Sequence, residues 1–83
     1  MKITFKLFAG LGKYLPDAAV RNEVELEVEQ GIKLQEVITT HGVPVEECHL
    51  VLVNGVYVAP SQRNSYVLSE SDSLAVWPPV AGG

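Results

Sequence analysis

Hydrophobic and polar positions alternate from the start of the chain. Ile3, Phe5 and Leu7 fall on one face of residues 2–9, and Lys2, Thr4 and Lys6 on the other. This is the pattern of a half-buried strand. Phe8 falls on the polar face, where it either covers a neighbouring loop or meets a partner. Residues 23–29 alternate more strictly, with Val24, Leu26 and Val28 against Glu23, Glu25, Glu27 and Glu29. Paired antiparallel to the first strand, this second strand places glutamates near Lys2 and Lys6, a favourable cross-strand arrangement. From residue 33 the period changes. Leu34, Val37, Ile38 and His41 share one stripe of a helix over 33–41, with two to three turns. Gly42 follows as its natural C′ residue, and Pro44 prevents resumption.

Leu50-Val51-Leu52-Val53 is continuously apolar, which fits an inner strand covered on both faces or on one face and half of the other. Asn54-Gly55 is a strong hairpin signal, with Val56-Tyr57-Val58 as the return strand. Residues 59–73 are polar and turn-rich, with Tyr66, Val67 and Leu68 as the expected buried patch. Leu74-Ala75-Val76-Trp77 reads as a final strand. Between the first two strands, residues 10–17 are turn-rich, and Leu11, Tyr14 and Leu15 have the spacing of one helical turn tucked under the sheet. The set is an α+β domain. The last strand needs a long regular neighbour, and the first strand is available. A parallel pairing there gives a mixed sheet with one main helix across it, the ubiquitin-like β-grasp. The domain spans 1–77, and 78–83 form an extended, flexible C-terminal tail.

Composition narrows the function. The chain has 83 residues, a net charge of −4 and six basic residues. That size holds one domain. Nucleic acid as a partner needs a basic footprint, which is missing. A partner with a basic docking surface is permitted. No apolar run approaches the ~18 residues of a membrane span, and the opening alternation is a strand, not a signal peptide. A single cysteine, Cys48, excludes an internal disulfide framework and fits a reducing, cytoplasmic compartment.

The informative stretch is Pro78-Pro79-Val80-Ala81-Gly82-Gly83. Proline cannot donate to a sheet ladder, so Pro78 and Pro79 end the last strand and send the chain out as a stiff spacer. Gly82 and Gly83 lack a Cβ and fit a narrow slot. A terminal carboxylate titrates near pH 3.3–3.7 (about), so it is ionised and nucleophilic at neutral pH. On this reading the domain is a handle for the Gly83 carboxylate. The plain alternative is an inert terminus, since chain ends are often rich in small residues.

The chain resembles the MoaD/ThiS sulfur-carrier family, most closely the MoaD type, the small subunit of molybdopterin synthase. The residues that carry the resemblance are Ile3-Thr4-Phe5-Lys6-Leu7-Phe8-Ala9, the helix ending at Gly42, Val53-Asn54-Gly55-Val56-Tyr57-Val58, and Asp72-Ser73-Leu74-Ala75-Val76-Trp77-Pro78-Pro79-Val80-Ala81-Gly82-Gly83. Two positions depart from the family pattern. Ser71 stands where glycine is usual, so that turn differs or holds strain, and Trp77 replaces a smaller residue. The resemblance implies that a MoeB-like adenylyltransferase uses ATP to adenylate Gly83, and that a sulfur donor enzyme converts the adenylate to a thiocarboxylate. The tail then enters the active site of a MoaE-like large subunit, in a heterotetramer, and gives sulfur to a pyranopterin. It also implies a non-catalytic carrier subunit with no bound cofactor. Partner contacts would run through Phe8, Trp77, Pro78, Pro79, Val80, Ala81 and Gly82. The alternatives are a ubiquitin-like modifier conjugated through Gly83, or a sulfur carrier for thiamine or tRNA thiolation.

Other reactive side chains read as structural. Cys48 and His49 are adjacent and would point to opposite faces of a strand. With His41 they lack the ligand number and spacing of a zinc site. Cys48 is therefore expected to pack, and both histidines to be ordinary. The glutamates of residues 23–29 diverge from any common centre and read as a solvated face, not a cation site. Gly10 and Gly12 lack the rest of a phosphate-loop motif.

Overall fold

The computed structural model describes residues 1–79. Strand β1 spans Lys2–Leu7, β2 Glu23–Glu27, β3 Leu50–Val53, β4 Val56–Tyr57 and β5 Ser73–Trp77; helix α1 spans Leu34–Thr40. The strands form one sheet in the order β2-β1-β5-β3-β4. β1 and β5 run parallel, and the other pairs are antiparallel. The topology is the expected β-grasp, with α1 across one face. Ile3, Phe5 and Leu7 of β1, Val51 and Val53 of β3 and Leu74 and Val76 of β5 are buried with Leu34, Val37 and Ile38 of α1. The period-2 and period-3.6 stripes of the sequence therefore meet in one core.

Local chemistry sets the element ends. The Glu36 carboxylate accepts from the Lys33 backbone N–H at 3.0 Å, satisfying a donor at the start of α1. At the other end Gly42 has φ 78°. Its N–H donates to Thr39, and that of Val43 to Ile38. This is a Schellman closure, with buried Val43 as its apolar contact. Asn54 and Gly55 take φ 52° and 82°, as a two-residue primed turn requires. The Asn54 side chain also ties this hairpin to the start of β5. Its Nδ2 donates to Asp72 Oδ1 at 2.8 Å, and its Oδ1 accepts from Ser73 N at 2.8 Å. Asp72 is itself buried, and its second carboxylate oxygen accepts from Ser69 N.

Lys2 faces Glu27, Thr4 faces Glu25 and Lys6 faces Glu23 across β1 and β2. The Lys2 ammonium lies 3.7 Å from Glu25, with both side chains exposed, so the pair is worth at most about 1 kcal/mol.

Several expectations need adjustment. β1 ends at Leu7, although Phe8 stays extended with φ −106° and ψ 162°. Residues 9–14 form a 3-10 turn that buries Leu11 and leaves Tyr14 and Leu15 partly buried against the core. Of the expected patch at 66–68, Leu68 is buried and Tyr66 half-buried, but Val67 is 52% exposed. Lys33 and Val67 form an isolated bridge there, and alternation along that extended piece turns Val67 outward. Cys48 does not lie on a strand. It closes a 3-10 turn over Val45–Glu47, and still ends buried while His49 is exposed.

Ser71 has φ 69°, so the residue standing where the family pattern has glycine does hold strain. Left-handed backbone costs a non-glycine residue roughly 1–2 kcal/mol. Part of that is offset because glycine loosens the unfolded chain. Ser71→Gly is therefore expected to raise stability by about 0.5–1 kcal/mol, seen as a rise of a few degrees in Tm. An unchanged or lower Tm would show that the strain is relieved elsewhere.

Candidate functional site: the exit of the last strand

The place where β5 leaves the sheet is held from both sides. The Phe8 N–H donates to Val76 O at 3.1 Å, and the His49 N–H donates to Trp77 O at 3.0 Å. The last carbonyl before Pro78 is thus fixed in space. Pro78 and Pro79 then offer no donor, so the ladder stops there. Pro78 is half-buried and Pro79 exposed. Pro78 also lines a shallow cleft with Gly10, Lys13, Tyr14 and Glu47, in which the Lys13 ammonium sits 5.3 Å from the centre of the Tyr14 ring. Val80, Ala81, Gly82 and Gly83 lie outside the described residues.

Phe8 and Trp77 come together. Their rings stack with centroids 4.3 Å apart and planes 7° from parallel. In the parallel β1–β5 register Leu7 faces Val76, so the next residues, Phe8 and Trp77, face each other. Alternation places both on the sheet face opposite α1, since Leu7 and Val76 point into the core. Phe8 therefore packs on Trp77, and Trp77 lies on the face away from the α1 core. Both are half-buried.

The register extends this patch across the open face. Trp77 faces Leu50 on β3, and Ala75 faces Leu52, which faces Tyr57 on β4. Leu50 and Leu52 are half-buried and Tyr57 is 52% exposed. At the opposite edge, β2 presents Glu23, Glu25 and Glu27, all exposed. The open face therefore grades from carboxylates at one edge to an apolar strip beside the tail exit. Sequence reasoning named Phe8 and Trp77 but missed Leu50, Leu52 and Tyr57. The signal was the unbroken Leu50–Val53 run: a strand that is apolar on both faces presents one of them away from the core.

The other candidate side chains are not assembled into a site. His41 caps α1, its ring 4.9 Å from Phe5 and its Nδ1 2.9 Å from Val37 O. Cys48 Sγ contacts Pro44 O at 3.4 Å. Burial pushes its thiol pKa up, only partly countered by the Arg63 charge. The thiolate is the reacting species. Alkylation of Cys48 by iodoacetamide is therefore expected to be slower at neutral pH than for a free cysteine, with its onset moved to higher pH. A rate equal to that of a small thiol would mean that the site opens readily. Among the described residues no three His, Cys, Asp or Glu side chains cluster as metal ligands would. No helix there is long and apolar enough to cross a membrane.

The mixed sheet, with β1 and β5 parallel at its centre and α1 across one face, defines a ubiquitin-fold protein. The chain belongs to the Mut7-C ubiquitin family, whose model matches residues 1–82. Two solved structures have the same fold along nearly the whole length. One is SAMP1 from Haloferax volcanii, with a TM-score of 0.67, 23% identity and 100% of both chains covered. The other is described as a putative molybdopterin converting factor, subunit 1, from Pyrococcus furiosus. Its TM-score is 0.66 and its identity 25%, with 95% of this chain and 98% of that one covered. No curated protein matches this chain significantly.

Proposed function

We propose that this protein is a sulfur carrier whose Gly83 carboxylate is activated and thiocarboxylated, and that it serves as the small subunit of a molybdopterin synthase. The observation that carries the reading is the exit of β5. The strand is hydrogen-bonded on both sides up to Trp77, then released by two prolines toward a Gly-Gly end. The MoaD-like fold match supports the pathway. In the first step Gly83 attacks the α-phosphate of ATP on a MoeB-like adenylyltransferase and releases pyrophosphate. The adenylate turns a poor leaving oxygen into a good one. The terminal sulfur of a donor persulfide then displaces AMP, and a thiol cleaves the resulting acyl disulfide to leave the thiocarboxylate. The chemistry belongs to the partners. This chain supplies a carboxylate at the end of a narrow spacer and a surface beside it.

The test is the intact mass of the chain after incubation with ATP, the adenylyltransferase and a persulfide donor. Replacement of one oxygen by sulfur at Gly83, followed by its loss to a pterin acceptor on a MoaE-like subunit, is the expected result. An unmodified terminus, or a ladder of isopeptide conjugates to lysines without sulfur, would overturn it.

A further inference from the structure

Arg63 lies in a segment that reads as a polar loop, yet it is only 5% exposed. Its Nε donates to Val58 O at 3.0 Å and its Nη1 to Cys48 O at 2.8 Å. The guanidinium thereby staples the residues just after β4 to those just before β3. Its Nη2 is buried and has no acceptor among the described residues. Among the described residues no carboxylate pairs with it, and the two groups that accept from it are neutral carbonyls. A buried, unpaired cation is unfavourable, since the charge has left water without a counter-charge to meet it. The planar fork of arginine matches a carboxylate through two parallel hydrogen bonds, and only part of the fork is used here. Arg63 also lines a cleft of about 300 Å³ between α1 and the 60s loop, whose other polar walls are Gln35, Thr39 and Asn64. That volume lies at the lower end for small-ligand sites. Asn64 is exposed, and Gln35 spends one amide hydrogen on Thr39 Oγ1 at a long 3.3 Å. Both can turn toward an incoming anion.

The geometry points to the α1–60s cleft as a carboxylate-binding site, with Arg63 as its cation and Gln35 and Asn64 as amide donors at its mouth. The carboxylate completes the guanidinium fork and neutralises its charge. The group recognised is the same whether free or carried on an acidic side chain of a partner protein. The site is separate from the tail exit and stands whether or not Gly83 carries sulfur.

The experiment is an NMR titration of the full chain with sodium acetate and, in parallel, with N-acetylglutamic acid α-amide, each against sodium chloride at matched ionic strength. Expected are saturable shifts of the Arg63 Nε–H and of the Gln35 and Asn64 side-chain amides, with a midpoint on the order of millimolar. Binding of both probes assigns the site to side-chain carboxylates as well as free ones, and binding of acetate alone assigns it to a small free carboxylate. Alkylation of Cys48, which lines the same cleft, should slow as the site fills. Arg63 variants risk unfolding the loop, so Gln35→Glu provides the control. It leaves Arg63 in place, sets a like charge at the mouth, and should weaken acetate binding about tenfold without lowering Tm. Shifts no larger than those given by chloride, or binding unaffected by Gln35→Glu, would leave Arg63 as a loop staple only and overturn the assignment.

Discussion

Deleting Gly83, or adding one residue after it, is expected to abolish adenylation while leaving the thermal transition where it was. The two halves of this result have separate causes. The buried core closes with Leu74 and Val76, and the last described ladder bond is that of His49 N–H to Trp77 O. Among the described residues, the buried core is complete before the prolines. Activation, on the proposed function, needs a carboxylate at a set distance from the clamped exit. One residue more or less moves it by about 3.3 Å, and a misplacement of roughly 1 Å can already cost a hundredfold in rate. The measurement is ATP–pyrophosphate exchange by the adenylyltransferase, with Tm recorded on the same samples. Exchange at the normal rate with Gly83 deleted would sink the carrier reading. Lost exchange with a lowered Tm would mean that the tail supports the fold.

Replacing Phe8 and Trp77 together by alanine should weaken binding of the MoaE-like subunit by about thirtyfold or more, the effect of losing a hot spot worth about 2 kcal/mol. The stack at 4.3 Å presents one rigid aromatic surface on the open face, directly where the tail departs. On the proposed function, a partner that takes in the tail would meet this stack beside the exit. Stability should fall less, by about 1–2 kcal/mol, because the stack itself is worth about 0.5–1.5 kcal/mol beyond its burial and both rings are only half-buried. Since the rings touch, the single substitutions should not add, and a double-mutant cycle on affinity reads their coupling directly. Affinity of the folded fraction unchanged in the double variant would leave recognition to the tail alone.

The carboxylate edge gives this interface a direction. Glu23, Glu25 and Glu27 are exposed along β2, two strands from Trp77. A partner seated on the apolar strip with a basic rim on the β2 side would gain association rate more than affinity, and would lose that gain in salt.

Much of this was legible from residues near one another in the chain. The alternation of Ile3, Phe5 and Leu7, the stripe Leu34-Val37-Ile38, the Asn54-Gly55 turn and the Pro78-Pro79 stop are local signals. Each acts within a few residues, through sterics or periodicity. The resemblance, whose pattern has glycine at this position, left open whether the turn at Ser71 differs or holds strain, and the structure decides for strain. What the sequence could not show depends on who lies next to whom. Arg63 is a charged residue in a polar loop, and only the fold places the carbonyls of Cys48 and Val58 around it. Phe8 and Trp77 lie near opposite ends of the chain, and they stack because β1 and β5 run parallel in a register that sets Leu7 beside Val76. Local physics chose the strands, the helix and the exit. Register and burial, which are properties of the whole chain, decided which side chains share the open face and which charge lies beneath the surface.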